Sequence, residues 1–241
     1  MLRLYYIPGA CSIAPHIALE ESGADFETVA IDFAAGDHRK PEFLKLNPKA
    51  FVAVLVTDRG AISENAAILS YVAQAYPEAK LAPTDPFEFA QMQAFNIFLA
   101  SAVHVTYRHL SRPTLFCDGE EGARLLAAKV PEMVHRYFGL IEDQLSDGRE
   151  WIHGDKYTVS DPYLFIYTSY LQRGDRGDAD RFPLARAHRE RVLARPAVQR
   201  VIEREGKGDP AKPRQMIVAD WDAGQTPADG AVAASAPMSE C

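Results

Sequence analysis

The sequence predicts an α/β domain at the start of the chain and an all-α helical bundle after it. In residues 1–76 short apolar runs alternate with helical patterns, whereas in residues 87–205 apolar residues recur at the helical spacing of 3.6. Residues 77–86 combine prolines with polar residues, which is typical of a linker. Residues 206–241 are rich in Ala, Gly and Pro without periodicity, which predicts an extended or disordered tail.

The composition is that of a globular protein and argues against several functional classes. Of 241 residues, 47% are apolar and 24% charged, and the net charge is −7 without any basic block, so nucleic acid is not expected as a partner. No apolar stretch approaches the ~18 residues of a membrane span. Cys11, Cys117 and Cys241 lie too far apart for a disulfide framework or a metal site. We therefore expect a cytoplasmic protein without a metal, because the N-terminus also lacks a secretory signal pattern.

The first predicted elements surround Cys11. Leu2 to Ile7 form an apolar run that predicts a strand, and Pro8-Gly9 predicts a turn. Ser12 is a favourable N-cap for the apolar helical pattern that follows, and Gly23 is expected to end that helix. Cys11 is thus expected where a strand passes to a helix N-terminus.

The remaining N-terminal elements complete a βαβ unit followed by a ββα unit. We predict a strand, a short helix, a second strand, a brief partner strand and a helix, at 26–33, 41–46, 51–56, 61–62 and from 63 onward. This order of elements is typical of an α/β domain.

The second part of the chain contains only helical patterns. Two long helices are predicted from apolar residues at helical spacing, and Pro131 is expected to kink or restart the second of them. The run Thr158-Val159-Ser160-Asp161 is a capping box in which an aspartate takes the usual place of glutamate. It precedes the very apolar stretch 163–171, which predicts a buried central helix.

The predicted position of Cys11 suggests a reactive thiol. Unpaired N–H groups and the positive end of the helix dipole favour the thiolate, so we expect a lowered pKa. A dithiol motif would require a second cysteine at position 14, which is Ala14. A single activated cysteine points to an external thiol partner. A packed cysteine without chemistry is the alternative from local sequence.

Four stretches in this order resemble a known family. They are Tyr5 to His16 with Cys11, Asn47-Pro48-Lys49, Ser63 to Ile68, and Thr158 to Phe165. Over residues 1–205 the chain resembles the cytosolic glutathione transferases, most closely their bacterial beta class. The resemblance implies a thioredoxin-like domain that holds glutathione as co-substrate and a helical domain that completes an apolar substrate site. It also implies a homodimer and a role in detoxification.

The resemblance implies roles for five residues. Cys11 matches the cysteine of the class that lies close to the glutathione sulfur. Val52 matches the residue whose backbone pairs with the cysteinyl part of glutathione, and Glu64 matches the acidic residue near the γ-glutamyl amine. Asn65 stands where a backbone N–H at a helix N-terminus suits a carboxylate. His104 matches a histidine that faces the active site, with an ordinary polar helix position as the alternative.

Further candidates have structural alternatives of equal or greater weight. The hydroxyls of Tyr6 and Ser12 are rivals for a bond to the glutathione thiolate, although Tyr6 also suits the core and Ser12 a helix cap. Arg39, with its neighbours His38 and Lys40, is a candidate for the glycyl carboxylate, and a solvated loop is the alternative. Thr158 and Asp161 match a folding element of the family.

The segment Ala50-Phe51-Val52-Ala53 departs from the family pattern Gly-x-Val-Pro. A cis bond costs about 2.5–4 kcal/mol before a non-proline residue and about 0.5–1 before proline. We therefore expect a trans Val52–Ala53 bond and an altered backbone clamp for glutathione. Val105 and Ala102 also replace polar residues that the class can carry beside the histidine.

The functional expectation is a glutathione transferase. It would activate the glutathione thiolate for conjugation to small apolar electrophiles, for thiol–disulfide exchange on a disulfide substrate through Cys11, or for both. The alternative is a non-catalytic binding or interaction protein that retains the fold with a weakened glutathione site.

Overall fold

The N-terminal part of the computed structural model is a four-stranded mixed sheet with helices. The structure describes residues 1–172 and 178–206, so the predicted tail beyond Gly206 lies outside the described residues. The strands are β1 (Leu2–Tyr6), β2 (Phe26–Ala30), β3 (Val54–Thr57) and β4 (Gly60–Ser63). Their order is β2-β1-β3-β4, with β1 parallel to β2 and the other two pairs antiparallel.

Three helices belong to this sheet: α1 (Ile13–Ser22), α2 (Pro41–Leu46) and α3 (Asn65–Ala75). The predicted stop of α1 is confirmed, because Gly23 has the left-handed φ of 70° that favours glycine and its N–H reaches the carbonyl of Glu20. The predicted bounds of α2 are confirmed as well. The core between α1, α3 and the sheet is fully buried at Leu4, Ile17 and Ile68.

The second part of the chain is helical. Its helices are α4 (Pro86–Phe98), α5 (His104–Ser111), α6 (Gly119–Leu145), α7 (Ser160–Leu171), α8 (Pro183–Leu193) and α9 (Pro196–Glu205). A proline at the first position, where no N–H is needed, begins α4, α8 and α9. The π-helical turn Leu99–Val103 joins α4 to α5. The predicted fold class, an α/β domain followed by an all-α domain, is confirmed.

Helix α7 is the buried centre of the helical part, as predicted, and Asp161 fixes its start. One carboxylate oxygen accepts the Thr158 N–H at 2.7 Å, and the other accepts bonds from the Ile152 N–H at 3.0 Å and His188 Nε2 at 2.8 Å. The Thr158 hydroxyl in turn accepts the Ser160 N–H at 3.3 Å. The carboxylate half of the predicted capping box is therefore present, with an additional bond to the buried His188. The hydroxyl half differs, because the Thr158 hydroxyl accepts the Ser160 N–H and the Asp161 N–H donates to the Thr158 carbonyl.

Helix α6 runs through Pro131 without restarting. Proline removes one helical hydrogen bond, and this position is exposed, where water can satisfy the freed carbonyl. Within the described ranges, no helix combines the length and apolarity needed to cross a membrane.

Candidate active site

The candidate site begins at the loop between β1 and α1, which carries Cys11. The thiol side chain is 9% exposed. Ser12 is fully buried, and its hydroxyl donates to the carbonyl of Ile7 and accepts the Ile7 N–H, both at 3.1 Å. It makes no capping bond to α1. The expected N-cap bond is therefore wrong, because the hydroxyl closes the loop back onto the end of β1 instead.

Tyr6 lies in the core with 6% exposure, and its ring packs against His16 at a centroid distance of 5.2 Å. Burial raises the pKa of Tyr6. The structure thus gives both rival hydroxyls, Tyr6 and Ser12, internal positions.

The Cys11 loop is also held by the last helix. Glu205 at the end of α9 accepts the Gly9 N–H at 2.7 Å, and its second oxygen lies 2.9 Å from Nδ1 of the buried His16. Sequence reasoning missed Glu205, since nothing local distinguishes this glutamate from its exposed neighbour Glu203.

The expected low pKa of Cys11 is wrong. Burial raises the pKa of the Cys11 thiol, whereas a hydrogen bond with Asn65 and the positive charges of Arg112 and Arg108 act in the opposite direction. The helix N-terminus is present as predicted, but loss of water around the thiolate outweighs it. Cys11 is therefore mainly a thiol at neutral pH in the protein without ligand.

Helix α3 brings a second N-terminus to Cys11. Asn65 Nδ2 donates to the carbonyl oxygen of Cys11 at 2.9 Å, a buried bond that joins the starts of α1 and α3. In the described part of the chain, the N–H groups of Asn65, Ala66 and Ala67 have no acceptor. Such groups at a helix N-terminus form a ready site for an anion.

Glu64 stands directly before α3 with φ 75°, a left-handed value that is uncommon for a glutamate. Its exposed side chain forms an ion pair with Lys49. The carboxylate therefore already holds an ammonium group at the edge of the site.

The loop before β3 is shaped by Asn47. Its amide donates to the Phe51 carbonyl at 2.7 Å and accepts the Lys49 N–H at 3.2 Å, and Ala50 within this loop has a positive φ of 57°. The Val52–Ala53 bond is cis, so the expected trans geometry is wrong.

Ala53 lies directly before β3 and is 2% exposed, so this bond borders the packed interior, where the preference of an isolated peptide bond need not decide the geometry. The N–H and C=O of Val52 have no partner among the described residues. Val52 thus offers one backbone donor and one backbone acceptor.

Helix α5 carries His104 to the other side of the site. Burial, together with the charges of Arg108 and Arg112, lowers the pKa of His104 to about 4, so the ring is neutral at pH 7. The ring lies 5.7 Å from that of Tyr167. Glu64 also acts on the His104 pKa, in the raising direction, which relates α5 to the start of α3.

Two groups from the helical part were missed by sequence reasoning. Tyr163 of α7 is buried, which raises its pKa, and it interacts with Cys11, Glu64 and Asn65. In the sequence Tyr163 belongs to an apolar stretch that predicts only a buried helix, so no signal identifies it as a site residue. The second group is the pair Arg108 and Arg112, whose only signal is their position one and two turns after His104. Arg39 is exposed in the 3₁₀ turn Asp37–Arg39, and its charge acts on Arg112.

The structure thus joins Asn65 to Cys11 by a hydrogen bond and places Glu64 within electrostatic reach of His104. Val52 is the neighbour of Phe51, whose ring centroid lies 4.7 Å from the Arg108 guanidinium carbon. Among the described residues, no group of three or more His, Cys, Asp or Glu side chains is arranged to hold a metal.

Comparison with known proteins gives a consistent result. Residues 1–74 match the family described as the N-terminal domain of glutathione S-transferase, and residues 107–205 match its C-terminal domain. The protein named glutathione S-transferase GST-4.5 from Xanthomonas campestris pv. campestris is 30% identical over 206 residues, covering 85% of this chain and 99% of that protein. Glutathione S-transferase GstA from Escherichia coli O157:H7 is 29% identical over 212 residues, again covering 85% of this chain and 99% of the relative.

Solved structures are similar over the same range. A glutathione transferase homologue from Sulfitobacter with bound glutathione has a TM-score of 0.79 and 33% identity, covering 85% of this chain and 98% of that one. A bacterial beta class glutathione S-transferase from Sphingomonas chungbukensis has a TM-score of 0.73 and 33% identity, with the same coverage.

Proposed function

Because the chain belongs to the glutathione S-transferase family, we propose that it binds glutathione beside Cys11 and transfers the glutathione sulfur to a small apolar electrophile. The observation that carries this proposal is the 2.9 Å bond from Asn65 Nδ2 to the Cys11 carbonyl. It brings two helix N-termini together, and their dipoles favour a thiolate. At the start of α3 the N–H groups of residues 65–67 have no acceptor among the described residues and suit a carboxylate.

The groups around Cys11 suit the parts of glutathione. The free N–H and C=O of Val52 suit the cysteinyl backbone of the tripeptide. The N–H groups at the start of α3, from Asn65, suit the γ-glutamyl carboxylate, and Glu64 suits its amine, which would replace the ammonium of Lys49. Arg39 remains the candidate for the glycyl carboxylate.

Conjugation requires a glutathione thiolate. The thiol loses its proton to solvent, the sulfur forms a bond to the electrophilic carbon, and the leaving group departs with the bonding electron pair. The helix N-termini and the charges of Arg108 and Arg112 favour that thiolate. Cys11, with its raised pKa, is a thiol that can donate a hydrogen bond to it, and the neutral His104 adds no positive charge.

Thiol–disulfide exchange is the second candidate reaction. The Cys11 thiolate would attack a mixed disulfide of glutathione and expel the substrate thiolate. A second glutathione thiolate would then release Cys11 and form oxidised glutathione. The charges of Arg112 and Arg108 favour this reaction because they lower the pKa of Cys11, whereas the larger effect of burial opposes it.

Family membership also supports a cytoplasmic homodimer. On α4, the side chains of Phe87 and Ile97 are 71% and 57% exposed, which suits an interface between subunits. Light scattering after gel filtration would give twice the mass of the 26.7 kDa chain if this assignment is correct.

The experiment that tests glutathione binding is calorimetric titration with reduced glutathione. We expect saturable binding of reduced glutathione at submillimolar concentration. A parallel titration with S-methylglutathione measures how much the thiol contributes to binding. Asn65→Ala should weaken binding by about tenfold, because it removes a buried hydrogen bond of roughly 1–1.5 kcal/mol at the site. Lys129→Ala, an exposed change on α6, serves as the control. No binding at millimolar glutathione would favour the non-catalytic alternative.

Cys11→Ala separates the two reactions. Exchange needs the Cys11 sulfur and should be abolished, while conjugation to 1-chloro-2,4-dinitrobenzene should persist at a reduced rate. Reduction of a mixed disulfide at the wild-type rate by this variant would refute the nucleophilic role of Cys11.

A further inference from the structure

Two arginines stand at the end of α5, near the α/β domain. Arg108 lies on one face of the helix, and Arg112 is the C-cap residue four positions later, whose N–H donates to the Arg108 carbonyl at 2.8 Å. His104 occupies the same face one turn earlier. Both arginines contact aromatic rings of the α/β domain, so they join the helical part of the chain to the N-terminal part.

Each guanidinium is stacked on a phenylalanine. Arg112 Cζ lies 4.0 Å from the ring centroid of Phe33, and Arg108 Cζ lies 4.7 Å from that of Phe51. The two rings are 40% and 36% exposed. Stacking uses the flat face of a guanidinium and leaves the N–H donors at its edge available for a carboxylate.

These positive charges lack a counter-ion among the described residues. In residues 1–172 and 178–206, no carboxylate lies within ion-pair distance of Arg39, Arg108 or Arg112. Several other arginines of the chain do contact carboxylates, namely Arg3, Arg124, Arg149, Arg186, Arg195, Arg200 and Arg204. Burial and the neighbouring charges of Arg108 and Arg39 lower the pKa of Arg112, which means that the cluster is short of negative charge.

Arg108 and Arg112 lie within electrostatic reach of Cys11, beside which the proposed function places glutathione. Their positive charges act to lower the pKa of the Cys11 thiol. In the proposed function the two carboxylates of glutathione are assigned to the start of α3 and to Arg39. The arginines of α5 are then left for the second substrate.

We infer that the electrophile is an aromatic carboxylate, held with its ring beside Phe51 and its carboxylate on the guanidinium groups of Arg108 and Arg112. This inference rests on the proposed function and narrows its apolar electrophile to one whose ring carries a carboxylate. The ring of such a molecule suits the partly exposed Phe51, since Phe33 already stacks on His38 with ring centroids 4.1 Å apart. Its charge suits two arginines that have no carboxylate partner among the described residues.

The test compares two electrophiles that differ in charge. The probes are 4-chloro-3-nitrobenzoate and its neutral amide, 4-chloro-3-nitrobenzamide. In both, glutathione thiolate forms a bond to the carbon that bears chlorine, and chloride leaves with the electron pair. After division by the uncatalysed rate constants, we expect kcat/KM to favour the benzoate by about tenfold or more, as charge-assisted hydrogen bonds of roughly 1.5–3 kcal/mol imply.

Two variants with the same change in charge sharpen the test. Arg112→Gln should reduce the preference for the benzoate by about tenfold or more. Arg59→Gln, on the exposed turn between β3 and β4, should leave the wild-type preference. An equal kcat/KM for both probes in the wild type, after division by the uncatalysed rate constants, would overturn the inference. It would also be overturned if Arg112→Gln raised the KM for glutathione and left the benzoate-to-amide ratio unchanged, since the cluster would then bind glutathione.

Equilibrium dialysis of both probes without glutathione separates this inference from the proposed function. Tighter binding of the benzoate, lost in Arg112→Gln, supports the inference even if neither probe is turned over, a result that would count against the proposed conjugation. Turnover of both probes without any charge preference overturns the inference alone.

Discussion

Glu205 accepts a hydrogen bond of 2.7 Å from the backbone N–H of Gly9, although 196 positions separate them in the chain. The other carboxylate oxygen of Glu205 lies 2.9 Å from Nδ1 of His16, and both side chains are almost completely buried. The last turn of the helical part therefore holds the loop that carries Cys11 and the helix that follows it. The geometry of the candidate site depends on both parts of the chain.

We expect Glu205→Ala to lower the free energy of unfolding by about 2–4 kcal/mol, because it leaves two buried polar groups without a partner. Urea denaturation followed by circular dichroism measures this change. Glu203→Ala, at an exposed position of the same helix, should stay within about 0.5 kcal/mol of the wild type. Equal stability of the two variants would show that the buried carboxylate does not stabilise the loop.

Much of the fold could be predicted from sequence because its signals are local. The start and stop of α1, the short helix α2 and the capping box before α7 each depend on residues within a few positions of one another. The pairing of Glu205 with Gly9 and the approach of Arg108 and Arg112 to Phe51 and Phe33 depend on how distant segments pack. Single-sequence patterns carry no information about such contacts.

The three corrections at the site share one physical cause. The Ser12 hydroxyl, the Cys11 thiol and the Val52–Ala53 bond were each interpreted from local preference. In the structure each of these groups is buried or borders a buried residue, and packing decides the outcome. Burial cannot be read at single positions of a loop where apolar and polar residues alternate irregularly.

Ala50 is a position where replacement should stabilise the protein. Its φ of 57° lies in the left-handed region, which costs an L-residue roughly 1–2 kcal/mol relative to glycine. Ala50→Gly removes that cost. It also increases the conformational entropy of the unfolded chain, which lowers the free energy of unfolding by about 0.4–1 kcal/mol. We expect a net gain of up to about 1 kcal/mol in thermal or urea denaturation.

Ala128→Gly is the matched comparison, because Ala128 is an exposed residue inside α6. There the same change should destabilise the protein by about 1 kcal/mol. A loss of similar size at both positions would contradict the conformational argument for Ala50.

His104 should make stability depend on pH. Its pKa is about 4 in the folded protein, below the ordinary value of 6.5. The unfolded chain therefore binds this proton first, so the stabilising contribution is complete above pH 6.5 and is lost as the pH falls toward 4. For this single group, the free energy of unfolding should fall by about 2 kcal/mol between pH 7 and pH 5.

The comparison with His104→Gln isolates that contribution. Burial also lowers the pKa of His38, His109 and His153. These three histidines therefore reduce the free energy of unfolding at acid pH in the wild type and in the variant alike. The variant should lose less stability than the wild type from pH 7 to pH 5. Parallel pH curves for the two proteins would show that His104 titrates normally.

Cys11 should react as a thiol with a raised pKa. Because burial outweighs the positive charges around it, we expect the pH midpoint of its alkylation by iodoacetamide to lie above that of a cysteine in an unstructured peptide. The measurement uses a Cys117→Ser, Cys241→Ser background, so that only Cys11 reacts. Arg112→Gln should move the midpoint further upward, since the guanidinium favours the thiolate, whereas Arg59→Gln should leave it unchanged. A midpoint below pH 7 would mean that the helix N-terminus, rather than burial, controls this thiol.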